Sequence, residues 1–179
     1  MQKDIEKILI TENQIRDRVK TIGENISKDY ADKELVLVSI LRGGLIFLAD
    51  LLRAITIPVT IDFMAISSYG GYAESSGVVQ LIKDLGEPVL GKNVLLVEDI
   101  IDTGLTLNYL MQSLKAKQPL TLEVCTLLDK SVRRIVDLDL AYKGFDVPDL
   151  FVVGYGLDFN QKYRNLPFIG VLREDVIQR

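Results

Sequence analysis

The chain has 179 residues, 48% of them hydrophobic and 26% charged, a balance typical of one globular domain with a buried core. It contains no histidine and a single cysteine, Cys125, which excludes histidine zinc sites, Ser-His-Asp triads and an intrachain disulfide, and favours a reducing compartment. A net charge of −4 and a pI near 4.9 argue against broad nucleic-acid binding. The apolar runs are well short of the ~18 residues that a membrane helix needs, and no signal peptide is recognisable at the N-terminus. These features predict a cytoplasmic protein with no membrane partner.

Helix and strand patterns then alternate along the chain. Thr11 and Gln14 form a capping box ahead of a helix whose apolar stripe repeats at three- and four-residue steps over 15–30. The continuous apolar run over 35–41 predicts a strand buried on both faces, and 45–55 predicts a second helix. The remaining predicted elements are strands over 59–66 and 94–97, a helix over 105–117, and strands over 124–128, 150–153 and 168–172.

This alternation favours an α/β fold with a doubly wound, mostly parallel sheet flanked by helices. No repeat or break in composition divides the chain, so one domain over 1–179 is predicted. The segment 67–77 does not fit the alternation, because it is long, polar and glycine-rich. Such a segment is either a functional lid or the tip of an irregular hairpin, and composition alone leaves both open.

The strongest chemical signal is the stretch 94–106, in which four apolar residues lead into three carboxylates and a Thr-Gly-x-Thr turn. Ligands of parallel α/β sheets bind outside the carboxyl ends of the strands, where these residues are expected. The turn offers backbone N–H groups, two hydroxyls and the positive end of a helix dipole, which together suit a monophosphate. Glu98 and Asp99 suit vicinal sugar hydroxyls or a hydrated Mg²⁺, and Asp102 is placed to act as a base. An acidic helix cap with solvated neighbours is the alternative, which the length of the pattern disfavours.

These residues resemble the diphosphate-sugar signature of the type I phosphoribosyltransferases. Within that family the chain is similar over nearly its whole length to the bacterial hypoxanthine(-guanine) enzymes, through the segments 40–44, 67–71, 128–130 and 151–167. The resemblance implies transfer of 5-phosphoribosyl from 5-phosphoribosyl-1-diphosphate to a 6-oxopurine, with Mg²⁺ and release of pyrophosphate. It also implies a homo-oligomer (dimer or tetramer), a small hood formed by the N-terminal region and about 145–179, and a mobile loop over about 67–80.

The same resemblance assigns roles to individual residues on the phosphoribosyl side. The segment 41–43 matches a pyrophosphate loop in which the peptide before the basic residue is often cis, although many relatives have lysine where this chain has Arg42. Ser68 and Tyr69 match the Ser-Tyr pair of the mobile loop. The residues implied to bind phosphoribosyl diphosphate are Arg42, Gly43, Glu98, Asp99, Asp102, Thr103, Gly104, Leu105, Thr106 and Arg164, with Asp102 as the catalytic base.

On the purine side, the resemblance implies that Lys130 donates to the 6-oxygen of the base and that Phe151 stacks on its ring. The backbone of Val152 would meet the base edge, and Asp158 would lie near a second Mg²⁺, so the implied metal residues are Glu98, Asp99 and Asp158. Without the resemblance, Lys130 would be taken as a solvated charge and Phe151 as a core residue.

Two other functions compete with this interpretation. A nucleotide-binding regulatory homologue that binds RNA would need a basic face, which a pI near 4.9 disfavours. The second is a phosphoribosyltransferase for another base, xanthine, uracil or adenine, and Lys130 and Phe151 in their family contexts favour a 6-oxopurine. The side chains do not separate hypoxanthine from guanine, because the resemblance implies that contacts to the purine 2-position are largely backbone carbonyls near Val152 and Asp158.

Overall fold

The computed structural model describes residues 1–68 and 79–178. The strands in these ranges are β1 (Ile5–Ile10), β2 (Leu35–Leu41), β3 (Thr60–Ser68), β4 (Val79–Lys83), β5 (Asn93–Ile101), β6 (Thr121–Asp129), β7 (Tyr142–Asp146), β8 (Val152–Val153) and β9 (Ile169–Leu172). The helices are α1 (Glu12–Asp29), α2 (Leu45–Ala54), α3 (Leu105–Lys115) and α4 (Glu174–Ile177), with 3-10 turns at Gln2–Asp4 and Ser131–Arg133. Tyr69 and most of the predicted mobile loop lie outside the described residues, and Ser68 is the last residue of β3.

The main sheet has the strand order β4-β3-β2-β5-β6-β7. All its neighbouring strands are parallel except β3 and β4, which form an antiparallel pair. Alternate residues of the central strands face opposite layers: Leu37 and Leu95 pack with α1 and α2, whereas Val38 and Leu96 pack with α3. Helices therefore cover both faces, and the predicted doubly wound α/β fold is confirmed.

A second sheet joins the two ends of the chain in the order β1-β9-β8, with antiparallel pairing. The backbone N–H of Arg173 donates to the carbonyl of Asp4 at 2.9 Å, and the hydroxyl of Tyr163 donates to the Asp4 carboxylate at 3.0 Å. This sheet corresponds to the expected hood, although residues 145 and 146 belong to β7 of the main sheet. At Gly156, where φ is +103°, a Cβ would overlap the carbonyl of Gly43, so the hood backbone lies directly against the loop after β2.

The capping box predicted from Thr11 and Gln14 is confirmed at the start of α1, with both reciprocal hydrogen bonds present. Three strands were not expected from the sequence pattern: β1, β4 and β7. Each lies at the edge of a sheet, where one-sided pairing tolerates polar residues and leaves no continuous apolar run. No helix in the described part of the chain is long and apolar enough to span a membrane.

Strand β5 is longer than the apolar run 94–97 from which it was predicted. Strand β5 continues through the two carboxylates to Ile101, because the backbone of Glu98 pairs with Thr126 of β6 and that of Ile100 with Leu128. The apolar run 94–97 is therefore only part of the strand, and the acidic residues lie at the strand end, as expected from the sequence. Glu98 and Asp99 are held by the rigid end of a central strand, so their positions are fixed more firmly than those of loop residues.

Candidate active site

The loops that follow β2, β5 and β6 meet at the carboxyl end of the main sheet, and two adjoining cavities open there. The first, here called the Lys130 cavity, has a volume of about 330 Å³ and is lined by Lys130, Phe151, Val152, Asp158 and Arg164 among others. The second, here called the Thr103 cavity, has a volume of about 270 Å³ and is lined by Glu98, Thr103, Gly104 and Thr106 among others. The two cavities share the residues Gly43, Asp99, Ile100 and Asp102.

Apart from the Ser68-Tyr69 pair, the residues singled out from the sequence line one of these cavities, with the exceptions of Arg42 and Leu105. Arg42 is exposed, and its Nη1 donates to Oε1 of Gln161 at 2.9 Å, so its side chain is tied to the hood. Leu105 is 46% exposed, and its backbone N–H donates to Oγ1 of Thr103 at 3.4 Å. The peptide bond between Leu41 and Arg42 is cis, as in the loop that the segment resembles.

The Thr103 cavity is built around the N-terminus of α3. Gly104 is the N-cap residue and adopts a left-handed conformation with φ of +85°, which glycine reaches without steric cost. A side chain there would also meet Leu138 and Arg134. The carbonyl of Thr103 accepts a hydrogen bond from the N–H of Ile135 at 2.9 Å, which ties the loop to the segment after β6, and the first turn of α3 lines the cavity through Thr106 and Leu107. Such an arrangement suits a phosphate group.

Glu98 lines the Thr103 cavity and Asp99 lines both cavities, and the environment of both carboxylates disfavours negative charge. Burial raises the pKa of Glu98 well above its ordinary value, and the neighbouring charge of Asp99 adds to this. Burial also raises the pKa of Asp99 to about 6, against the opposing hydrogen bond from the N–H of Ile100 and the charge of Arg164. Two buried carboxylates of this kind gain stability from a cation or from donor hydroxyl groups.

Asp99 leaves no space for a side chain at position 43, since a Cβ there would overlap the Asp99 carboxylate. Gly44 is likewise limited by Ser39, whose hydroxyl fills the space a side chain would need. The glycine pair is therefore required by close packing of the loop on β2 and β5, in addition to any approach of ligand to its backbone.

A pH dependence of stability follows from this pair. A folded-state pKa above the unfolded value means that the folded protein binds protons more tightly, so this pair destabilises the fold least below about pH 4, and its cost grows as pH rises through about 6. We expect the ligand-free double variant Glu98→Gln/Asp99→Asn to gain about 2–3 kcal/mol of stability over the native chain at pH 7.5. Its advantage should shrink by pH 4.5. Denaturant titrations of both chains across this range measure the difference, and a constant difference would contradict the assignment.

Asp102 lies where the two cavities meet. Its Oδ2 accepts a hydrogen bond from Nη1 of Arg133 at 3.2 Å, while its Oδ1 is buried and has no hydrogen-bond partner within the described residues. A buried carboxylate oxygen without a donor is costly in the free protein, which indicates that a ligand supplies one. The carboxylate faces the site as the sequence predicted.

In the Lys130 cavity, a basic side chain and an aromatic ring face the same space. Lys130 is only 7% exposed, and burial lowers the pKa of its ammonium, against the opposing charges of Asp102 and Asp149. Phe151 is 40% exposed, and its ring is held edge-on by Phe159 at 5.5 Å between centroids. Val152 is buried in β8, where it pairs with Val171 of β9. A planar base with a carbonyl group fits between an ammonium donor and such a ring.

Asp158 and Arg164 form the hood side of the same cavity. Nη2 of Arg164 lies 2.6 Å from Oδ1 of Asp158, and Nη1 donates to the carbonyl of Gly156 at 2.6 Å. Within 1–68 and 79–178, no group of three or more acidic or cysteine side chains is gathered closely enough to hold a metal by itself. A divalent cation here would therefore need ligand oxygens or water in addition to Glu98, Asp99 or Asp158, as Mg²⁺ commonly does.

The sequence analysis missed several residues that shape the site, among them Ile100, Leu157, Gln161, Arg133 and Asp149. Gln161 accepts from both Arg42 and Arg164, at 2.9 and 3.4 Å, and so connects the loop after β2 with the hood. Ile100, Leu157 and Gln161 lie within segments singled out from the sequence, but the pattern gave them no role, and Arg133 and Asp149 acquire theirs only when distant loops meet.

Comparison with known proteins agrees with this geometry. The model of the phosphoribosyl transferase domain matches residues 7–160. The hypoxanthine-guanine phosphoribosyltransferase of Staphylococcus epidermidis is 46% identical over 179 residues, covering 100% of both chains, and that of Mycobacterium avium is 46% identical over 182 residues, covering 98% of this chain and 90% of the relative. A crystal structure of a hypoxanthine phosphoribosyltransferase from Staphylococcus aureus superposes with a TM-score of 0.94 at 46% identity, covering 98% of this chain and 96% of the other.

Proposed function

Because the chain belongs to the phosphoribosyl transferase family, we propose that it transfers the 5-phosphoribosyl group of 5-phosphoribosyl-1-diphosphate to hypoxanthine, and also to guanine, in purine salvage. The products are IMP or GMP and pyrophosphate. The observation that carries the proposal is the pair of adjoining cavities that share Asp102, one with a phosphate-binding helix terminus and the other with Lys130 beside Phe151. The relatives named above support the choice of base.

The geometry suggests how the residues divide the reaction. The N–H groups and hydroxyls around Thr103, Gly104 and Thr106 hold the 5-phosphate, and Glu98 with Asp99 accepts hydrogen bonds from the ribose hydroxyls. Gly43 and Arg164 face the leaving diphosphate, and Arg42 adds positive charge beside them. As the bond from the anomeric carbon to the diphosphate breaks, the purine bonds to that carbon and its N7 proton passes to Asp102.

We also propose that Mg²⁺ takes part, held by Glu98 and Asp99 and, on the hood side, near Asp158. The hard carboxylate oxygens and the raised pKa values of Glu98 and Asp99 fit a divalent cation. A bound Mg²⁺ would neutralise the charge of the leaving diphosphate.

We expect phosphoribosyl diphosphate and Mg²⁺ to bind together at 98–106, because the phosphate site lies beside two carboxylates that favour a cation. Calorimetric titration with and without chelator measures the coupling in the native chain and in Glu98→Gln/Asp99→Asn. The native chain should lose tight binding on chelation, and the double variant should bind weakly under both conditions. Tight binding that ignores both chelator and the double change would contradict the proposal.

A panel of bases tests the proposed reaction itself. Hypoxanthine, guanine, xanthine, adenine and uracil are each incubated with phosphoribosyl diphosphate, Mg²⁺ and the protein, and pyrophosphate release is followed. We expect turnover of hypoxanthine and guanine. A preference for xanthine, uracil or adenine would show that the assigned base is wrong. Absence of pyrophosphate release with every base would refute the transferase assignment.

We further propose that the protein acts as a homo-oligomer, a dimer or tetramer, in the cytoplasm, since the family resemblance implies the assembly and the buried free thiol of Cys125 suits a reducing compartment. Sedimentation equilibrium measures the assembly directly. A monomer at micromolar concentration would remove that part of the proposal.

A further inference from the structure

Arg133 contacts Asp102, which lines both cavities, and connects three separate loops. Its Nη1 is 3.2 Å from Oδ2 of Asp102 and 3.6 Å from Oδ1 of Asp149. Asp102 belongs to the loop after β5, Arg133 to the 3-10 turn after β6, and Asp149 to the segment between β7 and β8. Asp149 comes two residues before Phe151 in the chain. The arginine therefore links the segment that carries the aromatic ring to the carboxylate shared by both cavities.

The contact engages only one oxygen of Asp102. Oδ2 accepts from Arg133, whereas Oδ1 is buried without a hydrogen-bond partner anywhere in the described ranges. The terminal torsion of an aspartate is broad and roughly two-fold, so the plane of its carboxylate is set by hydrogen bonds rather than by rotamer preference. A donor on Oδ2 consequently fixes the direction in which Oδ1 can accept a proton.

We propose that Arg133 is a positioning residue that orients the Asp102 carboxylate so that Oδ1 faces the proton of the bound purine, with Asp149 anchoring Arg133 from the other side. The inference rests on the proposed function, because it assigns Asp102 the role of proton acceptor. Misplacement of a reacting group by about an ångström can cost on the order of 10²-fold in rate, so loss of an orienting contact is expected to lower kcat.

A role in stability alone does not account for Arg133. The side chains of Arg133, Asp102 and Asp149 are 47%, 43% and 58% exposed, and ion pairs this exposed contribute little to folding. Removing Arg133 should leave the folded protein intact while loosening the carboxylate. Both contacts are made by the single nitrogen Nη1, so the ammonium of a lysine can replace them in part, although its reach and geometry differ.

The test uses steady-state kinetics with hypoxanthine on the native chain, Arg133→Gln, Arg133→Lys and the control Arg173→Gln. Arg173 is the matched control because it is 51% exposed and pairs with an acidic residue, Asp175, on the C-terminal segment. We expect Arg133→Gln to lower kcat about tenfold with KM changed by less than about threefold, Arg133→Lys to recover most of that loss, and Arg173→Gln to match the native chain. All four should melt within a few degrees of one another.

A double-mutant cycle with Asp102→Asn decides whether Arg133 acts through Asp102. If it does, Arg133→Gln should cost almost nothing further once Asp102 is an amide. Additive losses, an unchanged kcat in Arg133→Gln, or an effect confined to KM would overturn the inference. In each of these cases the native chain still turns over hypoxanthine, so the outcome differs from failure of the proposed function, in which the native chain itself is inactive with that base.

Discussion

Replacing Asp102 by asparagine is expected to lower kcat for hypoxanthine by about 10²–10⁴-fold, the usual contribution of a general base. The purine must lose a proton as it bonds to the ribose, and the chain has no histidine to accept it. Oδ1 of Asp102 is buried without a partner within the described residues, and an amide in its place cannot take up a proton at neutral pH. Affinity for phosphoribosyl diphosphate should stay nearly native, because the proposed phosphate site consists of groups around Gly104 at the N-terminus of α3.

Rapid-quench single-turnover kinetics measure the chemical step, and calorimetry measures binding of phosphoribosyl diphosphate to the same variant. Asp139→Asn is a suitable control, since Asp139 is an exposed carboxylate on the loop before β7 and lines neither cavity. An unchanged kcat in Asp102→Asn would remove Asp102 from the mechanism. A large loss of phosphoribosyl diphosphate affinity with native kcat would instead make it a binding residue.

The second large effect concerns the choice of base. Lys130 is 7% exposed and its ammonium has three donors and no acceptor, so it pairs with a 6-oxo group and opposes the 6-amino group of adenine. Binding adenine would leave a buried cation facing donor hydrogens. Sites built to hydrogen-bond one polar group reject a mismatched analogue by about 10⁴-fold or more, whereas shape alone gives only ~10–200-fold. We therefore expect kcat/KM for hypoxanthine to exceed that for adenine by about 10⁴-fold.

Lys130→Ala should weaken the use of hypoxanthine and narrow its lead over adenine, and competition assays with both bases measure the ratio directly. Lys115→Ala, an exposed lysine at the end of α3, serves as the control and should keep the native ratio. If the native protein used adenine within tenfold of hypoxanthine, both the role of Lys130 and the assignment of a 6-oxopurine would be refuted.

Much of this site could be predicted because its main parts are local in the chain. The carboxylates, the Thr-Gly-x-Thr turn and the start of α3 lie within nine consecutive residues, 98–106, so a strand followed by a helix places them together whatever the rest of the fold does. The apolar runs of β2 and β5 likewise predicted buried parallel strands, since both faces of such strands are covered by helices. The capping box of α1 is equally local.

Roles on the purine side needed the family resemblance. An isolated lysine after a strand carries no signal of burial, yet Lys130 is 7% exposed in a cavity that Phe151 also lines. Phe151 by itself read as a core residue, yet it is 40% exposed at the edge of a cavity. Periodicity reports which face of an element is apolar and does not report whether that face meets a layer of the protein or an open site.

Only the tertiary structure decided the contacts that join distant segments. Strand β1, near the start of the chain, pairs with β9, near its end. Arg133 contacts Asp102 and Asp149, and each of the three residues lies in a different loop. Such contacts depend on loop lengths, strand register and the packing of glycines such as Gly43 and Gly156, which bring backbones within reach of one another. Local sequence determined which strands and helices form and which chemical groups end at the edge of the sheet. The orientation of those groups was set by long-range packing, because a side chain's partners are chosen by the whole fold and not by its neighbours in sequence.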